Sequence, residues 1–379
     1  MRELFADATA DVDFDAPDRA PDRFWSRVPA DEAPDYAEVY EPAGKRDYRA
    51  LQLQKMAIAE GFRCLGDEKR ANALCNCGHT LRVQEYEHGR TYIIVNECGD
   101  LVCPTHEIAR ARRHFASLTR RIERYLSENP GQRGLMVTLT MKNCPSHELR
   151  SAVGKLIKAC GELMGRKAVR EAVHAWVRVI ELTRNAQTGE WHVHAHCLWF
   201  VGAVYFRTNS PTYITQEKLR ILWRRQLKAD YDPIVDIRPL RGVRSPLGPE
   251  GRKSLAEILK YVLKPGSLVR RRGDHYELVG ANTFELYDAG DGEGLRPMTC
   301  VPLRAVTDAL RSRRLVATSS ALQGDDLDFG DDLQGETADL GRYICTRVYV
   351  WRLRGRTGHY FLADTVFDEP VAGRPAMGP

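Results

Sequence analysis

The sequence predicts an α+β fold: a central antiparallel sheet with helices packed on one face, preceded by a small Cys/His-rich module. Three observations carry this. The middle of the chain orders its elements β-α-β-β-α-β-α. Two of its strands, Ala175–Thr183 and Trp191–Val201, are joined by a short connection with Gly189 and read as a hairpin. Ahead of them, cysteines and histidines gather between Cys64 and His106.

The elements follow in order. Residues 1–48 are rich in Asp, Pro and Ala without periodicity and read as a disordered acidic segment. Asp47–Glu60 has a helical pattern. The next segment carries CNCGH at Cys75–His79, a strand-like RTYIIVNEC ending at Cys98, then Cys103 and His106. One knuckle would offer Cys75, Cys77 and His79, and the other Cys98, Cys103 and His106. That is six candidates for the four places of a structural Zn²⁺. Unliganded buried thiols are the alternative. His106–Leu126 repeats its apolar residues at helical period and fills the other faces with arginine. The breaker Asn129–Gly134 ends it. Leu135–Met141 is a β-branched strand, Ser146–Leu163 a helix and Thr215–Lys228 a second helix, which turns Arg220, Arg224, Arg225 and Lys228 outward. Ile234–Pro239 is a short strand, and Ser254–Lys264 a helix stopped by Pro265–Gly266. Gly273–Met298 is expected to hold a hairpin and Pro302–Val316 a basic helix. Ser319–Leu340 is an acidic linker, and Arg342–Leu353 alternates like a strand with Gly358–Thr365 as its partner. This divides the chain into 1–48, a zinc-binding and basic helical module at 49–130, a catalytic domain at 131–270 and a C-terminal region at 271–379.

Composition narrows the function. Hydrophobic residues make up 43% of the 379, enough for a core. No run approaches the roughly 18–20 apolar residues of a membrane span. The acidic N-terminus lacks a secretory segment, so the cytoplasm is the default compartment. There the ten cysteines are thiols or metal ligands rather than disulfides. Net charge is only +5, but a basic middle lies between acidic flanks. That suits an anionic partner such as DNA, although solvated helix faces explain the same pattern.

The strand Trp191–Val201 is the most informative stretch. Side chains alternate across a strand. Trp191, Val193, Ala195, Cys197 and Trp199 make one face apolar, while His192, His194 and His196 share the other. Three imidazoles in a row on an apolar support suit a divalent metal better than burial. In the hairpin, Glu181 falls across from about His194, within one residue of register. Two imidazoles and a carboxylate make an open site for Mn²⁺ or Mg²⁺. On the helix SLAEILKYVLKPG, Glu257, Tyr261 and Lys264 stack at i, i+4 and i+7. They suit a nucleophile with its helpers. Ser254-x-x-Glu257 also fits a capping box, which would give Glu257 a merely structural role.

Taken together, WHVHAHCLWF and EILKYVLKP resemble the histidine and tyrosine motifs of the rolling-circle replication initiators (Rep proteins) of small bacterial plasmids, in the HUH endonuclease superfamily. LMVTLTMKN, IELTRN and CGDLVCPTHEIARARR resemble further segments of that family. The small Ala195 between His194 and His196 departs from its pattern, which His192-Val193-His194 fits better. The family's local pattern often begins with an extra histidine, so the resemblance aligns His194 and His196, with Glu181, as the ligands and leaves His192 as an alternative ligand or a support behind them. The resemblance implies an RRM/ferredoxin-like fold and nicking of origin DNA by Tyr261. A 5′-phosphotyrosine bond would form, and Lys264 would meet charge on the phosphate. Glu257 would activate the water that ends the cycle. It also implies a host helicase, polymerase and single-strand binding protein as partners, and no membrane. Arg220, Arg224, Arg225 and Lys228, with the helix at 106–126, are the expected DNA-backbone contacts. A transposase or relaxase of the same superfamily, or a non-catalytic zinc-dependent DNA-binding protein, are the rival functions.

Overall fold

The computed structural model describes residues 39, 47–185, 187–207, 209–258, 268–272, 275–278, 286–288, 295–297, 301–323, 341–354 and 357–367. The expected disorder of 1–48 and the acidic linker fall almost wholly outside them. Among the described residues, no helix is long and apolar enough to cross a membrane.

Helices α1 (Tyr48–Cys64) and α2 (Glu68–Asn76) come first. Asp47 and Asp67 start them by accepting the N–H of Ala50 (2.8 Å) and of Arg70 (3.1 Å). Strands β1 (Thr80–Tyr86) and β2 (Arg90–Val95) form an antiparallel hairpin. Helix α3 (Pro104–Glu128) begins on proline, where the missing N–H costs nothing. Next come β3 (Arg133–Thr140), α4 (Leu149–Met164), α5 (Lys167–Ala172), β4 (Ala175–Arg184) and β5 (Trp191–Val201). They are followed by α6 (Gln216–Leu227), β6 (Val235–Pro239) and α7 (Pro249–Ile258). Then come β7 (Val269–Arg272), β8 (His275–Leu278), β9 (Leu286–Asp288), β10 (Leu295–Pro297), α8 (Val301–Leu310) and β11 (Val316–Thr318). The long strands β12 (Tyr343–Arg354) and β13 (Thr357–Val366) close the described chain.

The fold is α+β with antiparallel sheets. The central sheet has the order β11-β4-β5-β3-β6, and a second has the order β13-β12-β1-β2. The hairpin expected in Gly273–Met298 is present as the short pair β9 with β10, and a second short pair, β7 with β8, starts ahead of that range. The C-terminal segment serves both sheets: β11 adds to β4 at the edge of the central one, while β12 pairs with β1 and β13.

The helices cover both faces of the central sheet, not one as expected. On the apolar face, Leu163 and Met164 of α4 line a small cavity with Leu139, Cys197 and Trp199, and α6 packs beside α4. Trp191, Trp199 and Trp223 are almost wholly buried here. The opposite face is polar only at its histidine end. Leu198 and Phe200 make its other end apolar, and that end needs cover. Tyr125 of α3 supplies it, meeting Phe200 edge-on at 5.4 Å between centroids. Helix α7 packs against α3 and β5 there.

Candidate active site

The register of the β4–β5 hairpin is set by its turn. Asn185 N donates to Glu190 O (2.8 Å), and Asn185 Oδ1 accepts from Gln187 N (2.8 Å) and Thr188 N (3.1 Å). Gly189 then takes φ +74°, a conformation L side chains resist. From this turn the ladder runs without a bulge, and Glu181 lies opposite His194, with Thr183 opposite His192 and Val179 opposite His196.

The donor atoms converge. Glu181 Oε2 lies 3.1 Å from His194 Nε2 and 2.9 Å from His196 Nε2, and the two imidazole nitrogens are 3.0 Å apart. A metal with bonds of about 2.1 Å places neighbouring octahedral donors about 3.0 Å apart, against about 3.4 Å for tetrahedral ones. The triad therefore fits one triangular face of an octahedral ion such as Mn²⁺ or Mg²⁺ and leaves the other positions for water or substrate. Glu181 and His194 side chains are 8% and 9% exposed and His196 is 20% exposed, so the site opens on the His196 side. His192 does not join the convergence. Its ring stacks on that of His194 at 4.6 Å and 21°.

Strand β3 completes the pocket. Thr138 and Thr140 pair with His196 and His194 and share their face. Thr138 Oγ1 lies 3.3 Å from His196 Nδ1. A ring N–H donated there would leave Nε2 as a lone pair aimed at the ion. Thr140 Oγ1 instead donates to Ile234 O (2.8 Å). The sequence carries a signal for Thr138, the T-x-T alternation on a strand beside the histidines, but names no partner for it. His194 Nδ1 has no hydrogen-bond partner among the described residues, so its ring is held by packing between its neighbours.

A second cluster joins Cys77, Cys98 and Cys103. Cys77 and Cys103 sulfurs are 3.5 Å apart, close to the roughly 3.8 Å between thiolates on a tetrahedral zinc. Hydrogen bonds from Cys103 and Cys98 hold the Cys77 thiol down to about 3, against a burial effect that opposes them. Burial and the neighbouring sulfurs push Cys103 well up. The three sulfurs thus pull against one another over their protons, and a divalent cation would favour the deprotonated form of all three. The other candidates lie elsewhere. Cys75 sits within the last turn of α2 while Cys77 follows in extended backbone, so the two diverge, and Arg63 donates to the Cys75 sulfur (3.7 Å). The His79 imidazole is held down to about 4 by burial, then by the charges of Arg352 and Lys55. His106 Nδ1 pairs with Glu97 at 2.7 Å.

A family model described as "Replication protein" matches residues 91–361. The chain belongs to the replication protein (Rep) family. Several relatives carry the name "Protein rep", three of which follow. The one from Streptococcus pneumoniae serotype 2 (strain D39 / NCTC 7466) is 29% identical over 222 residues, 58% of this chain and 68% of its own. That from Lactiplantibacillus plantarum is 31% identical over 247 residues, 65% and 77% of the two chains. That from a Bacillus sp is 26% identical over 302 residues, 76% and 89%. No solved structure matches. The chain is thus a plasmid replication initiator, and the histidine hairpin and α7 both lie within the matched residues.

The remaining expected Rep residues divide. Tyr261 and Lys264 lie outside the described residues, and Glu257 is described in its backbone alone. Its helix, α7, begins at Pro249, five residues before Ser254. Ser254 therefore sits inside the helix, where its hydroxyl donates to Arg241 O (3.2 Å), and the capping-box reading of Ser254 and Glu257 does not hold. On α6, Arg220 is paired with Glu217 (2.7 Å) and Asp232 (2.5 Å), and Arg224 with Asp232 (3.0 Å). Arg225 and Lys228 are exposed and in no ion pair among the described residues. On α3, Arg110 pairs with Glu107 and Arg113 with Glu97.

Proposed function

We propose that this chain starts rolling-circle replication of a plasmid by nicking one strand of origin DNA with Tyr261. The convergence of Glu181, His194 and His196 on one point carries the reading. A divalent ion bound there would polarise the scissile phosphate and lower the cost of charge on its oxygens. The Tyr261 phenolate oxygen attacks phosphorus, the bond to the 3′ oxygen breaks, and that oxygen leaves as a 3′-OH after taking a proton. The tyrosine is left on the 5′-phosphate. A diester replaces a diester, so rejoining needs no ATP. Lys264 meets the charge of the phosphate, and Glu257 activates the water that later frees the enzyme. The 3′-OH primes a host polymerase, with a host helicase and single-strand binding protein clearing the way. We assign a structural Zn²⁺ to Cys77, Cys98 and Cys103, and the outward cations of α6, Arg225 and Lys228 first, to contacts with duplex DNA. The chain divides near residues 49, 130 and 270 into a zinc-binding and basic helical module, the catalytic domain and a C-terminal region.

The test is a nicking assay on supercoiled plasmid carrying the cognate origin. Wild type with Mn²⁺ or Mg²⁺ is expected to give open circles and a covalent protein–DNA adduct, and EDTA to abolish both. Tyr261→Phe should give no adduct. An adduct from that variant, or cleavage that resists EDTA, refutes the mechanism. Glu257→Gln should nick normally and fail to terminate, and an unchanged termination rate removes its assigned role.

A further inference from the structure

The histidine face does not stop at the metal triad. It runs on across β3 to β6 at the sheet edge, where Asp236 and Arg238 pair with Thr138 and Met136. Neighbouring strands are about 4.8 Å apart, so Arg238 stands about 10 Å from the backbone that carries the histidines, within reach of a phosphate next to the scissile one. Past Pro239 the chain turns through Arg241 and Arg244 into α7, the helix whose sequence continues to Tyr261. Between Ile237 and Ala256 the sequence holds the bases Arg238, Arg241, Arg244, Arg252 and Lys253 against one acid, Glu250.

Two features mark this strip off from the other basic surfaces. Arg252 is taken by Glu123, and the first feature is the weak or missing counter-charge on the other three arginines, Arg238, Arg241 and Arg244. Arg241 and Arg244 are exposed and belong to no ion pair among the described residues. Arg238 meets Asp236 at 3.4 Å, but the two side chains are 66% and 44% exposed, a solvent-screened contact that a phosphate can replace. On α6, by contrast, Arg220 and Arg224 are already neutralised by Glu217 and Asp232. The second is rigidity. Buried Val243 anchors the turn, its carbonyl accepting from Gly134 N (2.9 Å), while Leu240 N donates to Gly134 O (2.9 Å). Gly242, at φ +70°, lies flat against Gly251 of α7, where a Cβ would meet backbone at 2.6 Å. The Ser254 hydroxyl ties Arg241 O from the helix side. A fixed backbone that holds three guanidinium groups outward suits a line of phosphates.

We propose that Arg238, Arg241 and Arg244 form the track that leads the phosphates of single-stranded DNA to the metal triad. This rests on the nicking reading above. The track binds backbone and carries no sequence preference. Its test is fluorescence anisotropy of a fluorescein-labelled oligothymidylate with the full-length protein in EDTA, titrated with NaCl. Each phosphate contact on a single strand contributes about 0.7 to the slope of log K against log salt. The variant R238Q/R241Q/R244Q is expected to lower the slope by about 2 in magnitude, and each single variant by about 0.7. The control K155Q/K158Q/R170Q removes as much charge from α4 and α5 and should keep the wild-type slope. A triple variant with the wild-type slope, or a control that loses as much, overturns the track while leaving the nicking reading standing. Wild type that binds no oligothymidylate at all also overturns the track, while the nicking reading is judged by the origin-plasmid assay with Tyr261→Phe. Single variants with the wild-type melting temperature keep the test valid if the triple variant does not fold.

Discussion

Thr138→Val isolates the contact between β3 and the metal triad. Valine keeps the branched shape on the strand and deletes one oxygen, the only atom of Thr138 within hydrogen-bond reach of His196 Nδ1 (3.3 Å). A net hydrogen bond contributes about 0.5–1.5 kcal/mol, and this one is long, so about 1 kcal/mol is the expected loss. That corresponds to roughly fivefold in an equilibrium constant. Residues that orient metal-bound imidazoles typically matter by about 10–100-fold, which sets the upper limit. Isothermal titration of Mn²⁺ into the protein without DNA should show affinity about 5–10-fold weaker for Thr138→Val, with the melting temperature of the metal-free protein unchanged. Thr138→Ser, which keeps the oxygen, should recover wild-type binding. Thr140→Val is a control on the same face, because its hydroxyl donates to Ile234 O and makes no hydrogen bond to a histidine among the described residues. Equal Mn²⁺ affinity for Thr138→Val and wild type would refute the positioning role, and so would a serine variant as weak as the valine one.

Three further outcomes follow from the geometry. Cys98→Ser should lose the equimolar zinc expected of the purified protein and lower its melting temperature, and zinc content equal to wild type would exclude Cys98 as a ligand. Phe200→Ala removes the ring that Tyr125 covers at the end of the histidine face. Denaturant unfolding should report a loss of about 3–5 kcal/mol, and a loss below about 1 kcal/mol would show that α3 is not packed there. Burial favours the neutral Glu97 carboxyl, but hydrogen bonds from His106 and Arg113 outweigh it and bring the group from 4.5 down to about 2. The folded value lies below the unfolded one, so the charged group stabilises the fold above about pH 4.5 and this is lost as pH falls towards 2. Glu97→Gln should therefore be less stable than wild type at neutral pH, with a gap that closes through that window, and a gap constant with pH would contradict the pairing.

The parts of the fold that could be read from the sequence are those whose signal is local. The histidine strand needs only a period of two, and its register with Glu181 needs only the length and chemistry of one turn. The long helix α3 announces itself by apolar spacing. Other parts depend on contacts that no local pattern records. Helix α2 opens on three charged residues and buries only Ala71 and Leu74. Strand β11 is three residues long and exists because the edge of β4 is free to accept it. The choice among six possible thiol and imidazole ligands rests on where α2 ends and where the β2–α3 connection returns. Spacing between Cys75 and His106 leaves that open. Proline marks the start of α7, yet the apolar run that draws the eye begins later, so Ser254 takes on the look of a cap although it lies inside the helix.

Helix α3 runs from the cysteine cluster to the packing around the histidine site. Cys103, fully buried, caps the N-terminus of this 25-residue helix, and its far half supplies Tyr125 to Phe200 and Glu123 to Arg252 of α7. At 1.5 Å per residue the helix spans about 37 Å, so one rigid element touches both the thiolates and the supports of the histidine and tyrosine motifs. The residues matched by the family model begin at 91, after Cys77 and β1. A chain started there would retain Cys98, Cys103, the metal triad and Tyr261. It would lose one sulfur of the cluster and the strand that holds β2 and β12 together. Tyr349, Trp351 and Tyr360 would lose their cover from Leu81, Val83 and α1. Such a chain should lack cooperative melting and bind no zinc, although every expected catalytic residue is present. A truncated protein from residue 91 that melts cooperatively and nicks as the full chain does would show that the N-terminal module is an appendage instead of a support.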